Sequence, residues 1–170
     1  LGVCLSILGS SDDGGGFPGL PIHLVLRAIL EDCADVDQAR RLVAGERYAA
    51  STAITVADAG GALSTVEVSP GGVTVLEERD DVIGHTNHFL GGTHGAVDTV
   101  ARVSLGTGRR LDEVRGALAS PAPLSAEAIK AVLRSHCAAP TSICNHELHH
   151  PDYADRQQTM ASVLLHVRDR

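Results

Sequence analysis

The chain has few aromatic side chains and no excess of positive charge. Its 170 residues include no Trp, two Tyr, two Phe and one Met, so the core must be built from Val, Leu, Ile and Ala. Fourteen Lys and Arg residues stand against 21 Asp and Glu residues, giving a net charge of −7. An acidic chain has no general electrostatic attraction to nucleic acid or to an anionic bilayer. No apolar run is long enough to span a membrane either, so we expect neither nucleic acid nor a membrane as a partner.

The cysteine patterns of zinc fingers and of disulfide-rich domains are also absent. The four cysteines form no CxxC pair: Cys4, Cys33, Cys137 and Cys144. We interpret them as reduced, buried, small apolar side chains, which indicates a cytoplasmic location. Walker, Rossmann, GxSxG and HExxH motifs are missing too, and we predict no cofactor.

The length suits a single domain spanning residues 1–170, but both ends run directly into apolar segments. Leu1–Leu8 opens the chain, and Thr159–Val167 comes just before its end. Each segment is typical of a buried strand. Because an independent domain usually begins and ends with polar residues, we expect a domain that is incomplete at both ends.

The order of the predicted elements indicates an α+β fold with segregated strands and helices. After the strand Leu1–Leu8, the glycine-rich loop Gly9–Gly19 fits either a mobile flap or an ordinary linker. Two helices follow, Leu20–Cys33 and one that Asp35 caps and Gly45 ends. Tight turns then separate four alternating segments, which predicts an antiparallel meander: Ser51–Asp58, Ala62–Ser69, Val73–Arg79 and Val82–Leu90. Three helices and two closing strands complete the order: Ala96–Leu105, Leu111–Ala119, a helix capped by Ser125, Thr141–Cys144 and Thr159–Val167.

Residue spacing also predicts which side chains are buried. In the first helix, an apolar face at helical spacing should cover the sheet: Ile22, Leu26, Ile29 and Leu30. In the second strand of the meander, alternation places Val66 and Val68 inward and Glu67 outward.

A polar sequence, His85-Thr86-Asn87-His88, lies near the end of the fourth predicted strand. In a strand, His85 and Asn87 point to one face while Thr86 and His88 point to the other. An amide nitrogen fixed on a strand is a good oxyanion donor, because it needs no reorganisation as charge develops. The alternative is a set of ordinary polar residues at a strand end.

Two further groups of reactive side chains follow. Asp98, Thr99 and Arg102 lie on the next predicted helix, where Thr99 and Arg102 share a face and can meet a substrate carboxylate, unless this is simply a solvated face. The second group contains the ligand types that zinc prefers: His136, Cys137, Cys144, His146, His149 and His150. Their spacing fits no standard finger or ribbon, so we predict that they do not share a metal. A zinc-stabilised binding module that uses the His136–His150 cluster is an alternative.

Several short segments occur in a characteristic order. They are Pro21 with Leu26–Glu31, Ala57–Gly60, Val66–Pro70, His85–Phe89, Asp98–Arg102 and Ser142–His146. This ordered set resembles the acyl-coenzyme A:6-aminopenicillanate acyltransferase family, also classed as a family of self-processing cysteine peptidases. The resemblance extends from about Leu1 to Val167, and the segment HTNHF is its most specific part.

The resemblance implies an N-terminal-nucleophile (Ntn) hydrolase fold, a four-layer αββα sandwich with two antiparallel sheets between layers of helices. It also implies a precursor that cleaves itself before a cysteine. The thiol of that cysteine then attacks an amide or thioester carbonyl, with its own α-amino group as the base. The substrates would be a small-molecule acyl donor, such as acyl-CoA, and an amine or water acceptor.

The resemblance also assigns roles to residues of this chain. Asn87 falls where the family places its oxyanion asparagine, and Arg102 matches a recurrent arginine. Thr99 stands where the family usually has serine, which leaves a role for its hydroxyl open. We expect four residues to contact the substrate: His85, His88, Thr99 and Arg102.

The nucleophile is the main departure from the family pattern. The mechanism needs Cys, Ser or Thr at a freed N-terminus, whereas position 1 is Leu and Cys4 lies inside an apolar strand. We therefore expect the nucleophile to belong to a missing N-terminal segment or to a separate chain, and this chain alone to be inactive. A non-catalytic protein of the same fold is the second interpretation.

Overall fold

The computed structural model describes residues 1–16, 18–76, 82–104, 106–119, 124–137, 139, 141–146 and 158–168. These residues form two compact units. One contains Leu1–Val103 together with the residues from His166 onward, and the other contains Ser104–Leu165.

The first unit is built on a four-stranded antiparallel sheet. Its strands lie side by side in chain order: β1 (Gly2–Ile7), β2 (Thr52–Ala57), β3 (Leu63–Ser69) and β4 (Gly72–Val75). Tight turns that contain glycine join β2 to β3 and β3 to β4, which favours this pairing over crossover connections. The predicted α+β class with an antiparallel sheet is confirmed, as is the predicted opening strand.

The sheet has one apolar and one polar face. The register places Leu5, Ile54 and Val66 next to one another on the first face. On the second face, the hydroxyls of Thr55 and Thr65 lie 2.8 Å apart across the β2–β3 pair. The apolar face forms the core, together with the helices that pack on it.

Helix α1 (Ile22–Asp32) covers part of this apolar face. Val25 and Ile29 are its buried residues, Leu26 packs at the margin of the core, and Leu30 is 56% exposed. The prediction that Leu30 faces the sheet is wrong. Apolar residues form two neighbouring stripes along α1, and the stripe that contains Val25 packs against the sheet.

Helix α2 (Val36–Gly45) begins where the sequence predicted. The Asp35 carboxylate accepts a hydrogen bond from the Gln38 amide nitrogen at 2.8 Å, and the Gln38 side chain accepts one from the Ala34 amide at 3.1 Å. Asp58 adds a second carboxylate, which accepts from the Val36 amide at 3.2 Å. That bond, with others from the turn after β2, lowers the pKa of Asp58 below its usual value.

Three predicted strands are absent from the structure. No strand element forms within 82–90, 141–144 or 159–167. In the last of these ranges the apolar side chains of Val163, Leu164 and Leu165 are exposed rather than buried. The predicted strand after the second turn is shortened to β4, and the predicted Asp80–Asp81 turn lies outside the described residues.

The remaining helices are α3 (Thr99–Val103), α4 (Gly106–Leu118) and α5 (Ala126–Leu133). Helix α3 is shorter than predicted, and α4 begins about a turn and a half before Leu111. Ser125 caps α5 as predicted, since its hydroxyl accepts from the Ala128 amide at 3.1 Å. None of the helices in the described part of the chain is long and apolar enough to cross a bilayer.

The cysteines are less buried than predicted, although Cys33 packs against the core. Cys4 and Cys137 are exposed, and Cys33 and Cys144 are only partly buried. All four are free thiols. Short, mildly polar thiols fit partly open positions as readily as the core, so their residue type alone was a poor guide to burial.

Candidate active site

The site is organised around Glu67, a carboxylate buried in the middle of β3. Alternation places it on the polar face of the sheet, opposite Val66 and Val68, yet it is only 1% exposed. Its oxygens accept hydrogen bonds from the amide nitrogens of Leu90 at 2.6 Å and Gly91 at 2.8 Å. The prediction that Glu67 points outward into solvent is therefore wrong, because a loop covers this face.

His85 is the third partner of Glu67. Its Nε2 lies 2.9 Å from a Glu67 carboxylate oxygen, and its Nδ1 lies 2.6 Å from the carbonyl oxygen of Thr86. Both ring nitrogens thus lie within hydrogen-bond distance of an oxygen atom. The His85 side chain is 4% exposed, and its contact with Glu67 links the loop to the sheet.

These contacts fix the backbone on both sides of Asn87. The Asn87 side-chain nitrogen donates to the carbonyl oxygen of Ile7 at 3.0 Å, which places the amide at the carboxyl end of β1. Beside it, the Thr86 hydroxyl lies 3.2 Å from Nδ1 of His88. The amide of Asn87 is thus carried by a loop, rather than by the predicted strand, but the loop is anchored to the sheet.

Asp98 anchors the far side of the same segment. One of its carboxylate oxygens accepts from the Phe89 amide at 2.8 Å, and the other accepts from the Ala101 amide at 2.7 Å, at the start of α3. Asp98 also pairs with Ser10 in an isolated antiparallel bridge. Asp98 therefore ties together the HTNHF segment (His85–Phe89) and helix α3 through its carboxylate, and the chain that leaves β1 through its backbone.

Thr99 and Arg102 occupy different positions relative to this centre. The Thr99 amide donates to the carbonyl oxygen of Gly9 at 2.9 Å. Gly9 has no room for a side chain, because a Cβ there would lie 2.5 Å from the Thr99 hydroxyl oxygen. Thr99 therefore lies directly over the segment that follows β1, whereas Arg102 lies on α3 with its side chain exposed.

The first half of the Gly9–Gly19 loop is held in place by hydrogen bonds. The Asp13 carboxylate accepts from the amide and hydroxyl of Ser10 at 3.0 and 3.1 Å, and from the Ser51 hydroxyl at 2.6 Å. The amide of Ser11 donates to the carbonyl oxygen of Val97 at 2.9 Å. These bonds favour a fixed wall over the predicted mobile flap for this part of the loop.

The chemistry of this arrangement is that of hydrogen-bond donation. Glu67 and Asp98 both accept hydrogen bonds from backbone amides, so each carboxylate holds the backbone around the site in place. The amide of Asn87 and the hydroxyl of Thr99 lie near the carboxyl end of β1 and can donate to oxygen. Such donors suit a carbonyl oxygen that gains negative charge.

A family model for acyl-coenzyme A:6-aminopenicillanic acid acyl-transferase matches residues 15–165. The chain belongs to this acyltransferase family. A comparison with curated proteins finds no match. The family match covers most of the chain and includes the HTNHF segment, Glu67 and Asp98, so the resemblance drawn from short motifs is confirmed. This family match supports a penicillin acyltransferase-like function of the Ntn type.

Glu67 is the site residue that the sequence did not predict, whereas Asp98 was named with Thr99 and Arg102 as part of a helix face. Glu67 lies 18 residues before His85 and 23 before Leu90, so no local pattern links it to them. The available signal was a single acidic residue between two valines in a strand, which alternation places toward solvent.

Proposed function

We propose that this chain provides the oxyanion-stabilising part of an Ntn acyltransferase site, with Asn87 as the donor. The observation that carries the proposal is the anchoring of the Asn87 amide to the Ile7 carbonyl oxygen at 3.0 Å. When a nucleophile attacks a carbonyl, negative charge develops on the oxygen. An amide group held by a rigid loop can stabilise that charge without first reorienting.

The proposed nucleophile is a cysteine outside these 170 residues, exposed as a new N-terminus by self-cleavage of a precursor. Its thiol would form an acyl-enzyme and expel the leaving group, with its own α-amino group as the base. Cys4 is a poor candidate because it lies within β1, opposite Thr55, and its nitrogen is part of a peptide bond. The chain alone should therefore be inactive.

The proposed substrates are a small-molecule acyl donor, such as acyl-CoA, and an amine or water that accepts the acyl group. His88, Thr99 and Arg102 remain the proposed substrate contacts. The burial of His85 against Glu67 favours a positioning role for that residue over direct contact with substrate. A cytoplasmic location is part of the same proposal, supported by four free thiols.

The test is made on a full-length precursor that contains these residues, with acyl release measured from an acyl-CoA in the presence and absence of an amine. Asn87→Ala removes the N–H donors of the side chain without placing a negative charge beside the Ile7 carbonyl oxygen. We expect kcat to fall by about 10²–10³-fold with little change in KM. Loss of the bond to Ile7 should cost only about 0.5–1.5 kcal/mol of unfolding free energy.

Thr86→Ala is the control. The Thr86 side chain is buried, and we expect this substitution to affect stability more than kcat. Normal kcat in Asn87→Ala, or complete unfolding of that variant, would make Asn87 a structural residue. Turnover by the isolated 170-residue chain, abolished by Cys4→Ala, would instead identify Cys4 as the nucleophile.

A further inference from the structure

Three metal-ligating side chains converge in the second unit, after α5. His136, Cys144 and His146 each offer one ligand atom, and these atoms all lie within 4.8 Å of one another. Sγ of Cys144 is 3.2 Å from Nε2 of His146. The imidazole rings of His136 and His146 are stacked, with centroids 5.0 Å apart and an angle of 12° between their planes.

Backbone hydrogen bonds bring these side chains together. The Cys144 amide donates to the carbonyl oxygen of Ser135 at 2.9 Å, which places Cys144 beside the residue that precedes His136. Asn145 is fixed in turn by Thr159, through backbone and side-chain bonds of 2.8 and 3.0 Å. Cys144 and His146 flank this fixed residue, so their positions along the chain are fixed with it.

The simpler explanations account for only part of this geometry. A thiol–imidazole hydrogen bond explains the contact between Cys144 and His146, and ring stacking explains the approach of His136 to His146, but neither explains why a His136 nitrogen also lies near the Cys144 sulfur. Burial does not explain it either, because His136 and His146 are exposed and Cys144 is only partly buried. A shared ligand explains all three positions at once.

We propose that His136, Cys144 and His146 bind one Zn²⁺ ion through two imidazole nitrogens and a thiolate, with water in the fourth position. Tetrahedral zinc with bonds of about 2.0–2.3 Å to nitrogen and sulfur holds its ligand atoms about 3.3–3.6 Å apart. The Cys144–His146 distance is already close to this, and the third ligand atom needs a movement on the order of 1 Å. Binding replaces the S–H bond of Cys144 with a Zn–S bond and releases the proton to solvent.

This proposal differs from the prediction, drawn from spacing alone, that these residues do not share a metal. Cys137 is exposed and does not belong to the three-ligand group, and His149 lies outside the described residues. The metal would close the loop between His136 and Cys144, so its role is to fix the backbone of the second unit. The proposal does not depend on acyl transfer.

The test is a Co²⁺ titration of the full 170-residue chain, followed by competition with Zn²⁺. We expect one equivalent of Co²⁺ to give the visible bands of a tetrahedral ion and a near-ultraviolet thiolate-to-cobalt charge-transfer band, both removed by one equivalent of Zn²⁺. Cys144→Ala should abolish the charge-transfer band. Because outer-shell partners alone change metal affinity by about 10–100-fold, His136→Ala and His146→Ala should each weaken binding by at least about 100-fold.

Cys137→Ala and His23→Ala are the matched controls, since each removes an exposed side chain of the same type outside the group. Both should leave the spectrum and stoichiometry unchanged. The wild-type charge-transfer band tests the thiolate ligand without any substitution, so the result stands even where a variant fails to fold. Absence of that band, or its persistence in Cys144→Ala, would overturn the proposal. Thiol alkylation at Cys144 that changes in His146→Ala, with no metal bound by the wild type, would instead identify a hydrogen-bonded pair.

Discussion

Replacing Glu67 by Gln is the sharpest test of how the loop from His85 to Gly91 is held against the sheet. The substitution keeps the size of the side chain but removes its charge and turns one oxygen into an amide nitrogen. The new side-chain nitrogen must face either the Gly91 amide or the side where His85 and Leu90 lie. In either position it faces a backbone N–H, and two donors cannot form a hydrogen bond.

The expected cost follows from burial and from the number of partners. Glu67 is 1% exposed and the His85 side chain is 4% exposed, so solvent cannot replace the lost bonds. Each buried donor left without its acceptor typically costs about 1–3 kcal/mol, and more where the acceptor was charged. We therefore expect Glu67→Gln to lower the free energy of unfolding by about 2–4 kcal/mol, a large part of the 5–15 kcal/mol typical of a domain.

The measurement is urea-induced unfolding of wild type and variant, compared at equal slope. Glu31→Gln is the matched control, because Glu31 forms an exposed pair with Arg27 at 2.8 Å. An exposed pair of this spacing contributes about 0.3–0.5 kcal/mol. If Glu67→Gln costs no more than Glu31→Gln, the loop from His85 to Gly91 is held by other contacts and the reasoning fails.

Two further predictions concern the helices that cover the sheet. Ile29→Ala should lower the free energy of unfolding in urea by about 2–5 kcal/mol, because Ile29 is fully buried. Leu30→Ala, one residue away, should cost far less because Leu30 is 56% exposed. Equal costs would mean that the buried face of α1 is misassigned. Asp58 has a lowered pKa in the folded state, chiefly because the Val36 amide donates to it, so its stabilising effect is present above the unfolded pKa and lost as pH falls through the folded one. The difference in unfolding free energy between wild type and Asp58→Ala should therefore be largest near neutral pH and shrink below about pH 4; a difference that is constant down to pH 3 would contradict this.

The sequence predicted the elements whose signals are local. Asp35 and Ser125 were recognised as helix caps because a capping side chain bonds to an amide only three residues away. The sheet residues Ile54 and Val66 were assigned correctly because alternation and short turns fix their register. The class of the fold follows from such local patterns, and the structure confirms it.

The failures have a common physical cause in contacts between distant parts of the chain. The polar face of the sheet was predicted to meet solvent, since Glu67 is charged, but a loop whose amide hydrogens need acceptors covers that position. The same bonds explain why Val82–Leu90 is not a strand, because the amide of Leu90 bonds to a side chain instead of a neighbouring strand. Spacing likewise gave no warning that His136 meets Cys144, eight positions later, through a bond to Ser135.

The bonds from Glu67 to the amides of Leu90 and Gly91 have a consequence for hydrogen exchange. Amides in surface loops usually exchange through small local openings, with little protection. These two amides, however, bond to a carboxylate buried on a central strand, so they are released only when the loop lifts from the sheet as a whole. Their exchange rates should therefore report on whether the loop from His85 to Gly91 is in place. In the Asn87 variant, they would separate a displaced loop from one that is in place but lacks the side-chain donor.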